Sequence, residues 1–235
     1  MSLLRIIEPE LLDTLVPDDP RAQRARRDLQ RVNFVMGQAA IWQRILQAGF
    51  AAGKSPSVIV ELGAGDGTLL LSLARTWAIH WAQVKVYLVD RQPAVTDKTL
   101  NAFAELGWQA ELVVADVRDW LADMPHVDLV LANLFLHHFK DAELSEMLRR
   151  IAGKTKVFAT CEPRRSNIAL AGSHLLGLIG CGPVTRYDAV VSVRAGFNGN
   201  ELAALWPEKE KWQLREGGAG LFTHTFIAQQ KFCNV

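Results

Sequence analysis

Two regimes of polar and apolar positions meet near residue 54. From 21 to about 50 the apolar side chains recur at helical spacing. Leu29, Val32, Val35 and Met36 mark one side, and Ala39, Ala40, Ile41, Ile45 and Leu46 continue it. Gly37 is expected to divide this stretch into two helices. Upstream, Pro9, Pro17, Pro20 and an Asp pair read as a short first helix and a loop. Asp18 or Asp19 would cap the next helix, with Pro20 in its first turn. Gly49 and Gly53 end the region.

From residue 57 onward the period changes. Short β-branched runs alternate with longer runs of helical period. Strands are expected at 57–62, 84–89, 111–115, 127–132 and 155–161, and helices near 67–77, 93–106, 118–122 and 141–152. That alternation predicts an α/β fold with a parallel sheet and helices on both faces. Ligands of such sheets lie at the carboxyl ends of the strands where the order reverses, here the first and fourth. After Cys161 the pattern shifts again. Residues 162–166 read as a polar turn, and 169–179 as an apolar helix carrying His174, expected to be a core histidine. Gly180 to Pro183 breaks that helix, another follows near 198–206, and Trp212–Glu216 and Phe222–Gln229 form a closing pair of strands.

The densest chemistry lies where the first strand ends. Val58-Ile-Val-Glu-Leu leads into Gly63, Gly65 and Gly67 at alternate positions, and a Leu-rich helical run follows at once. Such a turn lets a ligand approach bare backbone, and the helix start offers free N–H groups and a positive dipole end. A dinucleotide fingerprint needs G-x-G-x-x-G, but Thr68 stands where its third glycine belongs. Glu61, just before the turn, suits a ligand with a cationic amino group better than a diphosphate. Asp90 ends the second strand, where an acid can hold both ribose hydroxyls of an adenosine. Asp116 follows the third strand, and Asn133 the fourth, with His137 and His138 just beyond. A lone Asp after a strand is commonly only a turn or cap residue. Four such sites in order, all at strand carboxyl ends, are harder to dismiss.

The pattern E-L-G-A-G-D-G, with these downstream residues, resembles motif I and its successors in the class I S-adenosylmethionine (SAM) dependent methyltransferases. That resemblance implies a Rossmann-like, seven-stranded, mostly parallel sheet with the last strand antiparallel. It makes residues 1–53 an N-terminal helical cap and 54–235 the SAM-binding domain, with 163–197 as an acceptor lid. It implies a cofactor site of Glu61, Gly63, Ala64, Gly65, Asp90, Arg91, Asp116, Val117, Asn133 and Leu134. Within it Glu61, Gly63 and Gly65 cradle the methionine part, Asp90 the ribose, and Asp116 with Val117 the adenine. S-adenosylhomocysteine (SAH) would be the product. More narrowly, Arg27–Asn33 and Thr185–Phe197, continued by Glu201–Pro207, are similar to small bacterial methyltransferases associated with type III polyketide synthases, which suggests a phenolic or quinone-like hydroxyl as acceptor.

Methyl transfer also needs an electron-rich acceptor, so His137, in preference to its neighbour His138, is expected to serve as base or hydrogen-bond partner; packing and helix capping are the structural alternatives. Arg164, Arg165 and Tyr187 are candidate acceptor contacts, the alternatives being a solvated turn and a surface pair. No Asn/Asp-Pro-Pro-Tyr follows the fourth strand, which disfavours amino methylation of bases. No acidic cluster stands near Asn133 in sequence, so metal independence is expected. Other classes remain open: a SAM- or nucleoside-binding scaffold or regulator without transfer, and a nicotinamide oxidoreductase.

Composition narrows the partners. The 235 residues carry a net charge of +1 and 49% hydrophobic residues, enough for a large core and a poor footprint for a nucleic-acid enzyme. The one basic cluster, Arg21 to Arg31, reads as a solvated helix face. No apolar run reaches a membrane span, and the first ten residues lack the features of a secretory leader, so a cytoplasmic chain is expected. Cys161, Cys181 and Cys233 are too widely spaced for a C-x-x-C site and read as buried free thiols. A small-molecule acceptor is the partner expected; a homodimer is left open.

Overall fold

A computed structural model describes residues 3–50 and 55–231. The chain opens with α1 (Leu11–Thr14), α2 (Pro20–Val35) and α3 (Gln38–Gly49). Asp19 caps α2 by accepting from the Arg21 N–H, with Pro20 in the first turn. Gly37 breaks α2 from α3 in the left-handed region, at φ 66°. The α/β body then runs β1 (Val58–Leu62), α4 (Thr68–Trp77), β2 (Lys85–Asp90), α5 (Asp97–Glu105), β3 (Gln109–Val114), α6 (Val117–Asp123), β4 (Val127–Asn133), α7 (Asp141–Ala152) and β5 (Thr155–Pro163). It closes with α8 (Asn167–His174), α9 (Pro183–Ala195), α10 (Glu201–Leu205), β6 (Trp212–Ala219) and β7 (Thr223–Gln230).

The seven strands form one sheet in the order β3-β2-β1-β4-β5-β7-β6. β1 to β5 pair in parallel, and β7 lies antiparallel between β5 and β6. This is the expected Rossmann-like architecture, with its switch point between β1 and β4. Parallel strands buried on both faces read as continuous apolar runs, and each face has its own core. Trp42 and Leu46 of α3, with residues of α4 and α5, cover Ile59, Leu88 and Leu129. On the other face α6, α7 and α10 pack on Val60, Val130 and Phe158, joined by Trp206, Trp212 and Phe226.

The structure departs from the expectation in two places and supplies in two others what the sequence left open. Leu29, Val32, Val35 and Met36 do not pack into the body; Ala22, Ala25 and Asp28 form the buried side of α2, and the four larger residues line a cavity instead. The helix expected over 169–179 ends at His174, which is exposed, and a 3-10 turn at Leu176–Ile179 follows. The valine-rich segment beginning at 184 is a helix, α9, because Pro183 starts it and Asp188, Val191 and Ala195 give it a buried face. Glu162 and Pro163 are no turn: they complete β5, and Glu162 is fully buried. Cys161 and Cys181 are buried free thiols; Cys233 and Gly53 lie outside the described residues.

Trp206 stacks on Phe158 at 5.4 Å and meets Trp212 edge-on at 5.0 Å. Trp206→Ala should lower the unfolding free energy by about 3–5 kcal/mol, read from urea transitions followed by circular dichroism.

Candidate active site

A cavity of about 800 Å³ opens at the carboxyl ends of β1, β2 and β4. Its lining includes Glu61, Gly63, Ala64, Gly65, Asp90, Arg91, Asp116, Val117, Asn133, Leu134, His137 and His138. Twelve positions scattered over the sequence are thus gathered at one rim. Arg164, Arg165 and Tyr187 are not. Arg164 donates to the Gly220 carbonyl and lies against Gly218, clamping the β6–β7 turn. Arg165 is buried and donates to the Leu3 and Gly196 carbonyls and to Glu201. Tyr187 lies on the outer side of α9 and is 46% exposed, while its neighbour Asp188 faces inward.

The glycine turn is built by two different constraints. A Cβ on Gly63 would stand 2.2 Å from the Phe135 ring, so this glycine makes room for the β4 loop. Gly65, at φ 55°, has open space around it and gives its N–H to Asp90 Oδ2 at 2.8 Å. Asp90 Oδ1 takes the Gln92 N–H at 2.8 Å. Backbone thus fixes this carboxylate, and each oxygen keeps a lone pair for a further donor. Glu61 is buried, and its Oε2 has no partner. Burial, then the nearby Asp66 and Asp90, push its carboxyl well above the usual range. An unpaired buried acid is costly, and a ligand's ammonium group would relieve it. Asp116 caps α6 and pairs with Arg118 at 2.7 Å, which holds its carboxyl low. Asn133 accepts from the Trp42 indole at 3.0 Å, and Leu134 follows in the left-handed region at φ 53°. A branched residue there stores about 1–3 kcal/mol of strain.

Beyond Leu134 lies a feature that the sequence did not suggest. Glu162 Oε2 contacts His137 Nδ1 at 2.8 Å, and Glu10 Oε1 stands 3.1 Å from His137 Nε2. Glu162 also accepts from the Leu136 N–H and the Thr160 hydroxyl. Burial opposes charge on His137, but hydrogen bonds and attraction from both carboxylates outweigh it and raise its pKa to about 9. At neutral pH it is an imidazolium whose ring nitrogens are both engaged, so it is no free base. His138 is the opposite case. Burial, then the charge on His137, lower its pKa, so its imidazole is neutral. Its Nδ1 lies 3.6 Å from Asp13.

Glu10 and Asp13 belong to an N-terminal strap across the cavity. Ile7, Pro9 and Leu12 line it, and Leu11 and Leu12 donate their N–H groups to Asp188 at 2.7 and 3.0 Å. Burial raises Asp188 to about 6, with Glu10 and Asp13 adding to the effect. Arg5 anchors the strap to the Phe139 and Ala195 carbonyls. The opposite walls are Leu29 and Val32 of α2, Met36 just after it, Leu176 and Ile179 of the 3-10 turn, and Val193 of α9. Glu162 was legible in principle, since it ends an apolar strand as Asp90 does. Glu10, in a proline-rich stretch before any periodic element, carried no local signal.

Residues 59–156 match the family model described as a methyltransferase domain. Trans-aconitate 2-methyltransferase of Mycolicibacterium gilvum (strain PYR-GCK) is 34% identical over 103 residues, which are 44% of this chain and 35% of that protein. The chain thus matches about a third of that relative's length. Among solved structures, the plantazolicin methyltransferase BpumL in complex with SAH superposes with a TM-score of 0.65 at 12% identity, covering 91% of this chain and 92% of that one. An O-methyltransferase family protein from Burkholderia thailandensis gives 0.60 at 17% identity, over 91% and 61%. These two likenesses speak to the fold.

The His137 pair carries a pH signature. Its folded pKa lies above the unfolded value, so its contribution to stability is complete below about pH 6.5 and is lost as pH rises through about 9. The urea midpoint of the native chain should fall across that window. In His137→Gln that part of the fall should vanish.

Proposed function

We propose that this chain, built around a SAM-dependent methyltransferase domain, methylates a hydroxyl of a small, largely apolar molecule, with a phenol as the best chemical fit. The observation that carries the reading is the position of His138, its pKa lowered by burial, beside an apolar chamber on the same rim as the unpartnered Glu61 carboxyl.

The residues present fit the cofactor. Glu61 would take its amino group, Asp90 its ribose hydroxyls, Asp116 its adenine amino group, and Val117 would pack on the ring. Bound there, SAM supplies an electrophilic methyl group. The chain's largest contribution is position: holding two reactants in attack geometry removes roughly 7–11 kcal/mol of barrier. A phenol of pKa about 10 costs roughly 4 kcal/mol to ionise at pH 7. His138 is placed to take that proton, a contribution on the order of 10²–10⁴ in rate. The walls from α2, the 3-10 turn and α9 enclose the acceptor's apolar part.

The tricarboxylic acceptor named for the mycobacterial relative suits this cavity poorly. Glu10, Asp13 and Asp188 face it, and its three lining arginines are engaged: Arg26 with Gln92, Arg91 near Asp13, and Arg118 with Asp116 and Glu143. Arg26 is held by neutral acceptors and keeps its charge, but no pair of lining arginines is free to grip carboxylates, and a trianion would face three acids.

The cofactor is tested by thermal shift: SAM and SAH should raise the melting temperature and NAD should not, and the reverse would overturn the reading. Asp90→Ala should weaken calorimetric SAM affinity more than tenfold. With a panel of simple phenols, His138→Gln should lower kcat 10²- to 10⁴-fold while KM for SAM holds; transfer to trans-aconitate in preference to every phenol would exclude the acceptor class.

A further inference from the structure

We propose that Glu10, His137 and His138 form a site for one divalent cation of the zinc class at the acceptor end of the cavity. One carboxylate oxygen and one nitrogen from each ring lie within 4.8 Å of one another, and all three residues line the cavity. Imidazole and carboxylate are ligands that suit zinc, and three protein ligands leave a coordination position for another oxygen.

The spacing suits a shared ion. Two ligands bonded to one tetrahedral zinc at about 2.0–2.2 Å stand about 3.4 Å apart. Glu10 Oε1 and His137 Nε2 are already 3.1 Å apart, so they need to part by only a few tenths of an ångström. His138, on the adjacent residue with its ring centroid 4.2 Å from that of His137, closes the third side. The outer partners are also in place. A metal-bound imidazole ordinarily gives its other N–H to a carboxylate, which fixes ring and tautomer. Glu162 does this for His137 at 2.8 Å, and is itself held by the Leu136 N–H and the Thr160 hydroxyl.

Charge points the same way. Glu10 and Glu162 hold His137 on either side, Asp13 lies beside His138, and Asp188 faces the same cavity through the strap. Against these four carboxylates stand the His137 ring and the guanidinium of Arg5, whose Nη2 is 3.5 Å from the His137 carbonyl and which also pairs with Asp141. The Nε2 proton of His137 lies where the ion would sit. Coordination takes the neutral ring, so binding of the ion releases a proton. Metal independence was expected because no acidic cluster stands near Asn133 in sequence; the fold brings acids there by way of the strap.

The ion deepens the methyl-transfer reading, and this part rests on it. A hydroxyl bound to zinc ionises far more readily than a free one, as bound water does at about pH 7. The hydroxyl proton leaves to water and its electron pair stays on oxygen. That oxygen takes the sulfonium methyl, while sulfur keeps the pair of the broken S–C bond. In this state His138 is a ligand, and the ion does the work assigned to the imidazole in the metal-free chain.

The test uses the full chain, stripped with chelator and titrated with Co²⁺ or Zn²⁺ alone. One Zn²⁺ per chain should survive gel filtration. Co²⁺ should give visible ligand-field bands that Zn²⁺ bleaches, and uptake should tighten as pH rises. His138→Gln, a change at a partly exposed side chain, should weaken uptake at least tenfold with calorimetric SAM affinity unchanged, and Glu10→Gln should weaken uptake as much. A native chain that binds SAM but takes up no stoichiometric metal would overturn the site, as would equal uptake by His138→Gln. Metal uptake without SAM binding would leave the site standing and remove the methyl-transfer reading.

Discussion

The ion pairs of His137 with Glu162 and Glu10 are the constraint from which the site takes its shape. Glu162 is fixed at the end of a central strand, where backbone N–H groups and a threonine hydroxyl compensate its burial. Only a cationic partner makes two buried carboxylates tolerable so close together. The charged ring therefore draws Glu10, and with it the strap, onto the rim. Burial lowers the pKa of His138, and the same charge lowers it further. Cavity wall, acceptor end and the contrasting states of two adjacent histidines thus follow from one buried network.

The cofactor end obeys a different logic. There the carboxylates are held by backbone or left without partners. Asp90 is pinned by two N–H groups, whereas Glu61 is buried with a free oxygen. A site prepared for a positively charged ligand keeps an acid that costs stability until the ligand arrives. Leu134 adds strain at the same place, in keeping with the tendency of unfavourable backbone to collect where ligands bind.

The α/β body was legible from its alternating periods, because each parallel strand is a short buried run bounded by a turn. Asp90, Asp116 and Asn133 were legible as polar punctuation at strand ends. Long-range geometry was not. Nothing local marks Glu10, whose partners lie more than a hundred residues away, and a basic-looking pair at 164–165 gave no sign that Arg165 is a buried tie between Leu3, Gly196 and Glu201. The apolar side of α2 was legible as apolar, but not what it faces, since periodicity cannot tell a wall facing a cavity from one facing a neighbour.

The strap reaches both ends of the chamber. At one end Glu10 meets His137, and near Asp90 the Leu15 carbonyl accepts from Gln92, which also receives Arg26 from α2. A single stretch of backbone is therefore the door for two visitors. Lifting it for one uncovers the berth of the other, so their arrivals and departures cannot be fully independent events.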